Sequence, residues 1–397
     1  MKSNWITATI DDVCTVVTDG AHNSPKSVEQ GHYMASVKDF TEFGFDFSNC
    51  KQIGEEDYEK LRNQGCVPEK NDILVGKDGA RYFEDIIIYK QDERPALLSS
   101  IAILRADCRK ITPEFLYYTL KSPAVRKDVR DNYGSGSAIP RIVLKDFKRM
   151  PFSFPSIEEQ RKITNLCSAI DAKIQINNAI NENLLEQMQA LYKSWFVDYL
   201  PFGGVMPTSW TQTGIYSLAN IIYGAPFASK QFNTEGNGKP IIRIRDLKDQ
   251  QFATYTTEMH PKGYLLQPGD IVVGMDGEFR PYIWGNDEAW LNQRVCVFEN
   301  KRPNGKAFLY FTIKPLLFAI EQTQVATTVI HIGKKDYDAF EITLPDSSTL
   351  DSFDALTSPM MMQIVSNSFE NKRLAAMRDT LLPKLMSGEI DVSSVQL

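Results

Sequence analysis

The chain has 397 residues, a net charge of −6 and a hydrophobic content of 43%. These values are typical of a globular protein of two or three domains, and they exclude a disordered chain and a strongly basic one. The N-terminal segment MKSNWITATIDD lacks the apolar core of a signal peptide, and the apolar run FLYFTIKPLLFAI is too short to span a membrane. We therefore expect a cytoplasmic protein with no membrane partner.

The first half begins with short β-rich segments that are separated by Gly, Pro and Asn. They are DDVCTVV, NDILVG, DIIIYK and SSIAILRA. The segment TPEFLYYTLKS follows and predicts a helix, with Thr112 as its N-cap and Pro113 in its first turn. This order predicts a mixed, β-rich α/β domain.

A basic segment, residues 121–149, comes next. It holds eight Lys and Arg against three Asp, around a flexible GSGS. Basic residues near Gly/Ser turns suit contacts with DNA phosphates and grooves. A solvated charged face is the alternative interpretation, and the sequence leaves both open.

A long helix is predicted from about residue 157 to residue 197. Ser156, followed three residues later by Glu159, is a typical capped start. Apolar residues and Asn then recur at spacings of four and three, which is the pattern of a coiled-coil seam. The seam positions are Ile163, Cys167, Ile170, Ile174, Asn177, Asn181, Leu184, Met188, Leu191 and Trp195.

The second half repeats the first, and the offset between the matched stretches falls from 207 to 190 residues. The matched stretches are SVKDF (36–40) with RIRDL (243–247), NDILVGKDG (71–79) with GDIVVGMDG (269–277), EFLYYTLKS (114–122) with AFLYFTIKP (307–315), and RIVLKDF (141–147) with HIGKKDY (331–337). Their shared order predicts an internal duplication, so both halves should have the same fold. The PFGGV stretch at 201–205 is interpreted as the linker.

A second long helix ends the repeat. Its seam, offset by 190 residues, places Asn367 and Asn371 where the first helix has Asn177 and Asn181. Antiparallel packing would pair Asn177 with Asn371 and Asn181 with Asn367. In the alternative, the stripe shifts toward Ile176 and Ile180 and the four Asn are solvated. We expect Pro383 to bend or loosen the end of this helix.

The repeated Gly-Asp-Gly stretch favours a structural turn at the end of a strand. Lys77 of the first copy is Met275 in the second, which argues against a catalytic role. A loop that also approaches DNA, with Lys77, Arg81 and Arg280 at its rim, is compatible with the turn. No P-loop, HExxH, GxSxG or methyltransferase motif is present, and Cys and His show no metal-site spacing. We therefore predict no catalytic residue, metal or cofactor in this chain.

Several stretches closely resemble the specificity subunit of type I restriction–modification enzymes. They are FPSIEEQRKI (154–163), ALYKSWFVDY (190–199), NDILVGKDG (71–79) and LAAMRDTLLPKLMSGEIDV (374–392). The resemblance implies an α+β fold: two tandem β-rich α/β target recognition domains, joined by two long antiparallel coiled-coil helices with pseudo-two-fold symmetry. The implied segments are 1–153 and 201–345 for the recognition domains, and 154–200 and 346–397 for the helices.

The resemblance also implies the function. Each recognition domain would read one half of a bipartite double-stranded DNA target, while the helices set the spacing and dock two methyltransferase subunits. Those partners would carry S-adenosylmethionine, and a restriction subunit would use ATP and Mg²⁺. A coiled-coil adaptor that binds only protein is the alternative function.

The candidate residues fall into three sets. The predicted DNA-binding residues are Lys77, Arg81, Arg130, Arg141, Lys145, Arg243, Arg245, Arg280, His331, Lys334 and Lys335. The predicted helix-register residues are Asn177, Asn181, Asn367 and Asn371. The predicted methyltransferase-docking residues are Tyr192, Trp195, Phe196, Leu381, Leu382 and Leu385. For the last set, packing against the chain's own recognition domains is the alternative.

Overall fold

The first half of the chain forms short strands and helices followed by one long helix. The structure is a computed structural model that describes residues 5–79, 81–133, 141–322, 331–390 and 392. The elements are β1 (Ile6–Thr9), α1 (Ile10–Val13), β2 (Cys14–Asp19), β3 (His32–Ala35), β4 (Lys51–Ile53), α2 (Glu55–Asn63), β5 (Ile73–Gly76), β6 (Ile86–Ile88), β7 (Ala96–Leu97), β8 (Ile101–Ala106), α3 (Pro113–Lys121), α4 (Pro123–Asn132), α5 (Leu144–Arg149), β9 (Pro151–Phe154) and α6 (Ile157–Phe196).

The second half follows a similar plan, with eleven strands against nine in the first half among the described residues, and ends in a second long helix. Its elements are β10 (Thr211–Gly214), β11 (Ala219–Tyr223), β12 (Phe232–Asn233), β13 (Lys239–Ile242), β14 (Tyr255–Thr256), β15 (Leu265–Leu266), β16 (Ile271–Gly274), β17 (Pro281–Ile283), β18 (Ala289–Leu291), β19 (Val295–Asn300), α7 (Lys306–Gln322), α8 (Lys334–Asp338), β20 (Glu341–Leu344) and α9 (Ser347–Met386).

The sheets confirm the predicted duplication. The main sheet has the antiparallel order β2-β8-β5-β6 in the first half and β11-β19-β16-β17 in the second. Strands β5 and β16 carry the repeated apolar stretch, and all four residues of each are buried, as expected for inner strands covered on both faces. Each half also has a second sheet with one parallel pair, β3 with β7 and β13 with β18.

The helix starts predicted from the sequence are present. The Thr112 hydroxyl accepts a hydrogen bond from the backbone N–H of Phe115 at 3.2 Å. The Ser156 hydroxyl accepts one from the N–H of Glu159 at 3.4 Å. Each cap satisfies a backbone donor that has no partner inside its helix. Helix α9 continues through Pro383 to Met386, so this proline does not end it.

The chain divides into two compact units. Unit 1 comprises Met1–Gln175 and Leu374–Leu397, and unit 2 comprises Ile176–Arg373, so each long helix has residues in both units. In unit 1, Ile163 of α6 and Leu385 of α9 pack into the apolar core with Phe115. In unit 2, Met188 and Phe353 pack into the core with Phe308. The four-segment domain division remains a prediction.

Among the helices of the described ranges, none combines the length and the apolar character of a membrane span.

Candidate nucleic-acid interface

In each half, two segments that are distant in sequence are in contact: the turn after the buried strand and the segment that begins at Arg141 or at His331. In unit 1, the N–H of Ile142 donates to the carbonyl of Lys77 at 3.0 Å, and Asp78 pairs with Arg141 in an antiparallel bridge. In unit 2, the N–H of Ile332 donates to the carbonyl of Met275 at 2.9 Å, and Asp276 pairs with His331. We call these contacts corner 1 and corner 2.

The repeated SVKDF and RIRDL stretches form a matching turn beside each corner. A Cβ built on Gly76 would lie 3.4 Å from the Val37 side chain, and one on Gly274 would lie 3.3 Å from Ile244. Each turn therefore packs closely on the strand end that carries its corner. This shared framework accounts for the repeat of both stretches and supports the structural interpretation of the Gly-Asp turn.

Corner 1 contains a buried lysine. The Lys77 ammonium lies 3.3 Å from the Asp19 carboxylate and 3.7 Å from Asp78, and only 7% of the residue is exposed. A buried ammonium requires such partners, since its charge loses hydration. The predicted placement of Lys77 at an exposed rim is therefore wrong. Arg141 is exposed beside it and is available to a ligand.

Corner 2 presents a different set of side chains. Met275 replaces Lys77 and is buried. The Nδ1 atom of His331 lies 2.8 Å from the Asp276 carboxylate and 3.1 Å from the Met275 carbonyl. Both of these neighbours accept hydrogen bonds, whereas Arg294, a donor, also lies 2.9 Å from Nδ1, so the contacts of Nδ1 do not fix which ring nitrogen carries the hydrogen.

Arg294 is the residue of corner 2 that the sequence analysis missed. Its guanidinium Nη1 lies 2.9 Å from His331 Nδ1 and 3.7 Å from the Asp276 carboxylate, and its side chain is 54% exposed. Its φ of 72° places a non-glycine residue in the left-handed region, where strain concentrates at functional sites. No periodic pattern marks it, since it stands in a turn between two strands.

The other predicted DNA-binding residues differ in whether they form ion pairs within the chain. Arg81, Arg130, Arg280 and Lys334 are exposed and pair with Asp85, Glu84, Glu278 and Asp338, respectively. Surface pairs of this kind contribute little stability. Lys145 and Lys335 are exposed on α5 and α8, which follow Arg141 and His331 closely.

Arg243 and Arg245 share one turn but have different surroundings. Arg243 donates to Asp246 at 3.0 Å and to the Thr254 hydroxyl at 2.6 Å, so it holds the turn together. The side chain is 21% exposed, and its contact with DNA stays a prediction. The Arg245 side chain is 71% exposed beside it, so it can still reach a ligand. The GSGS stretch of the basic segment lies outside the described residues.

The two long helices meet through the predicted asparagines. Asn177 Nδ2 donates to Asn371 Oδ1 at 2.8 Å, and Asn367 Nδ2 donates to Asn181 Oδ1 at 2.8 Å. The pairing runs in opposite directions along the chain, so α6 and α9 are antiparallel within unit 2. Ile176 and Ile180 are 55% and 41% exposed, which rules out the shifted stripe.

The predicted docking residues at the helix ends pack mainly inside the chain. Phe196, Leu382 and Leu385 are at least 91% buried. The ring of Trp195 lies 5.8 Å from that of Phe353, and the Tyr192 hydroxyl bonds Thr312 at 3.1 Å. Phe196, Leu382 and Leu385 are inaccessible to a partner because their own unit's core covers them, so the docking prediction is wrong for these three. For Tyr192 and Trp195, which are half-buried, it stays a prediction. Leu381 is half-buried against the core of unit 1.

In the described part of the chain, no group of three or more His, Cys, Asp or Glu could hold a metal ion.

Comparison with known proteins gives a consistent result. The sequence pattern of the family described as "Type I restriction modification DNA specificity domain" matches residues 2–186 and 207–361. The chain is 38% identical over 138 residues to the Type I restriction enzyme EcoBI specificity subunit of Escherichia coli, a match that spans 34% of this chain but only 29% of that subunit. It is 25% identical over 312 residues to the MjaIX specificity subunit of Methanocaldococcus jannaschii, covering 72% of this chain and 71% of that one.

A solved structure shows the same fold. The type I restriction–modification S subunit from M. genitalium superposes with a TM-score of 0.50 at 18% identity, over 97% of this chain and 96% of that chain.

Proposed function

We propose a function from the premise that the chain belongs to the family of type I restriction–modification DNA specificity domains: it confers DNA sequence specificity on a restriction–modification complex. In this proposal, corner 1 reads one half of a bipartite target and corner 2 reads the other. The helices fix the distance between the two half-sites. The duplicated corner, with one backbone framework and two sets of side chains, is the observation that carries the proposal.

The two corners offer different chemistry to DNA. Corner 1 presents the Arg141 guanidinium, which can donate two hydrogen bonds to guanine O6 and N7. Corner 2 presents the His331 ring beside the Arg294 guanidinium. In the tautomer that carries its hydrogen on Nδ1, the ring offers Nε2 as an acceptor next to the guanidinium donors. The major groove of an A·T pair offers an adenine amino donor next to an acceptor, so it is complementary to that set. Because the two corners present different side chains, the two half-sites should differ in sequence and the target need not be palindromic.

The positive charge close to each corner supplies affinity that does not depend on sequence. Lys145 near corner 1 and Lys335 near corner 2 are exposed. We assign them, with Arg81, Arg130, Arg245, Arg280 and Lys334, to phosphate contacts, which position the protein without reading bases. The net charge of −6 suits a chain whose partner subunits neutralise part of the DNA backbone.

Catalysis belongs to the partners in this proposal. Two methyltransferase subunits that bind S-adenosylmethionine would modify the target, and a restriction subunit would use ATP and Mg²⁺. Docking would involve surface close to the helix ends, such as Val197 and Leu200, which are 54% and 65% exposed. The purified chain with S-adenosylmethionine but without partners is expected to leave DNA unmethylated, and methylation by the chain alone would contradict this division of labour.

The proposed function is tested by mapping methylated bases in cells that express the chain with its cognate methyltransferase. We expect one bipartite target sequence. Arg141→Ala should change the preference for one half-site only, and His331→Ala should change it for the other. If both variants alter the same half-site, the assignment of one corner to each half fails. If the chain binds the methyltransferase but no DNA, the adaptor function is correct instead.

A further inference from the structure

A loop of unit 2 touches helix α9 closely next to the paired asparagines. A Cβ built on Gly285 would lie 2.5 Å from the Cβ of Ser368, a separation that real side chains do not reach. The ammonium of Lys372, one turn further along α9, donates a hydrogen bond of 2.8 Å to the carbonyl of Gly285. We call this contact, formed by Gly285, Ser368 and Lys372, the clamp.

Neighbouring residues contact both sides of the clamp, the loop and the Lys372 side chain. The N–H of Gly285 donates to the side chain of Gln250 at 2.8 Å, and the Gln250 amide donates to the Ile283 carbonyl at 2.8 Å. The Lys372 ammonium lies 5.9 Å from the centre of the Phe252 ring and 5.4 Å from that of Phe369. Cation–π contacts of this kind hold the side chain over the loop.

The position of the clamp along α9 connects it to the helix register. Ser368 and Lys372 each follow an asparagine of the interhelical layer, Asn367 and Asn371. Adjacent helical residues differ by about 100° in direction, so one face of α9 contacts α6 while the next contacts the loop. The loop is therefore fixed to the same two turns of α9 that fix the pairing of the helices.

We propose that the clamp is a determinant of spacer length, because it sets where the β-rich part of unit 2, and with it corner 2, is attached along α9. The inference rests on the proposed function. It adds that spacer length depends on where the β-rich part of unit 2 is attached to α9, as well as on the pairing of the two helices. A shift of the loop by one helical turn would move it by about 5.4 Å, which exceeds one base-pair step of about 3.4 Å. Lys372 and Gly285 are positioning residues in this scheme and touch no base.

The test measures methylation of a set of DNA targets that share both half-sites and differ only in spacer length, with the full chain in complex with its methyltransferase. Lys372→Met keeps an apolar stem between the two rings and removes the donor. We expect its preference for the native spacer over spacers one base pair longer or shorter to fall by a factor of about ten, as for the loss of one hydrogen bond from a charged donor. Arg373→Met, at the exposed neighbouring position, is the matched control and should keep the native profile.

A second pair of variants tests the close approach itself. Gly285→Ala should push the loop away from Ser368 and broaden the spacer profile. Adding Ser368→Gly removes the clashing Cβ and should restore the profile, which general destabilisation would not allow. Base preference in each half-site should stay unchanged throughout.

Two results would overturn the inference. One is a native spacer profile in Lys372→Met, and the other is a broadened profile in Gly285→Ala that Ser368→Gly does not rescue. Either leaves the proposed function intact, provided that the unmodified chain directs methylation to one bipartite target. If the unmodified chain directs no such methylation, the proposed function fails and the inference fails with it.

Discussion

Asn177 Nδ2 donates a hydrogen bond of 2.8 Å to Asn371, 194 positions away in sequence, and one of 2.7 Å to the adjacent Glu370. Asn177 is 1% exposed, and its side-chain oxygen has no partner among the described residues. Buried amides of this kind reduce stability relative to Ile, but they penalise shifted registers in which the amides lose their partners. The layer therefore favours one alignment of α6 against α9.

The first prediction concerns this layer. Replacing Asn177, Asn181, Asn367 and Asn371 together by Ile should raise the midpoint of thermal unfolding, because apolar seam residues pack without desolvated amides. The same variant should lose its sharp spacer preference, because one heptad of slip moves a helix by about 10 Å. Differential scanning calorimetry and the spacer assay measure the two effects. A variant that is no more stable and equally sharp would show that the Asn do not set the register.

The second prediction concerns a buried ion pair in unit 1. Arg378 lies 2.6 Å from the Asp171 carboxylate, which also accepts a hydrogen bond of 2.6 Å from the Tyr118 hydroxyl. Arg378→Met should reduce the free energy of unfolding by about 3–5 kcal/mol, because it leaves a buried carboxylate without its counter-charge. Chemical denaturation of both proteins measures the loss.

A double variant distinguishes the ion pair from simple packing. The offset of 190 that relates the two helices places Met361 and Met188 where Asp171 and Arg378 stand, and both methionines are buried. Asp171→Met combined with Arg378→Met should therefore recover most of the stability lost in Arg378→Met alone. If the double variant is as unstable as the single one, an uncompensated charge is not the cause.

The third prediction concerns corner 1. Arg141→Ala should weaken binding to the cognate target by about 1–3 kcal/mol if the guanidinium contacts a base, with the loss confined to one half-site. Equilibrium binding to targets mutated in one half-site at a time measures it. An equal loss on all DNA sequences, together with a shallower salt dependence, would mark Arg141 as a phosphate contact.

The fourth prediction concerns pH. Burial lowers the pKa of the Lys372 ammonium from its ordinary 10.5 to about 8. The unfolded chain therefore binds more protons than the folded chain between these values, and the stability contributed by this residue rises with pH through that window. Relative to Lys372→Met, the unmodified chain should gain stability as pH rises from about 8 to about 10. A constant difference in the thermal midpoint would show that the ammonium is solvated.

The parts of the fold that were predictable are those specified by local or periodic patterns. Thr112 and Pro113 mark the start of α3 within three residues of sequence, and the heptad spacing predicts both Asn pairs across 194 and 186 residues. Because the sequence is duplicated, most local patterns occur twice, and each copy supports the interpretation of the other. The matched stretches stand in the same order in both halves, which predicts that one fold occurs twice in the chain.

The corners were less predictable, because their electrostatics depend on long-range contacts. Lys77 is buried by Asp19, which stands 58 positions earlier on another strand, and no spacing rule connects them. Arg294 reaches His331 across 37 positions from a turn without periodicity. The docking prediction for Phe196 failed for the same reason, since the ring of Phe353 that covers it comes from a distant segment.

The composition of the two units has a consequence for synthesis. Unit 2 is one continuous stretch, Ile176–Arg373, whereas unit 1 needs Leu374–Leu397 in addition to the first 175 residues. Leu382 and Leu385 fill the core of unit 1, so that core stays open at the ribosome until the final helix has emerged. The part of the protein that is made first is thus the last to be completed, and a nascent chain arrested near residue 373 would expose apolar surface that chaperones and proteases recognise.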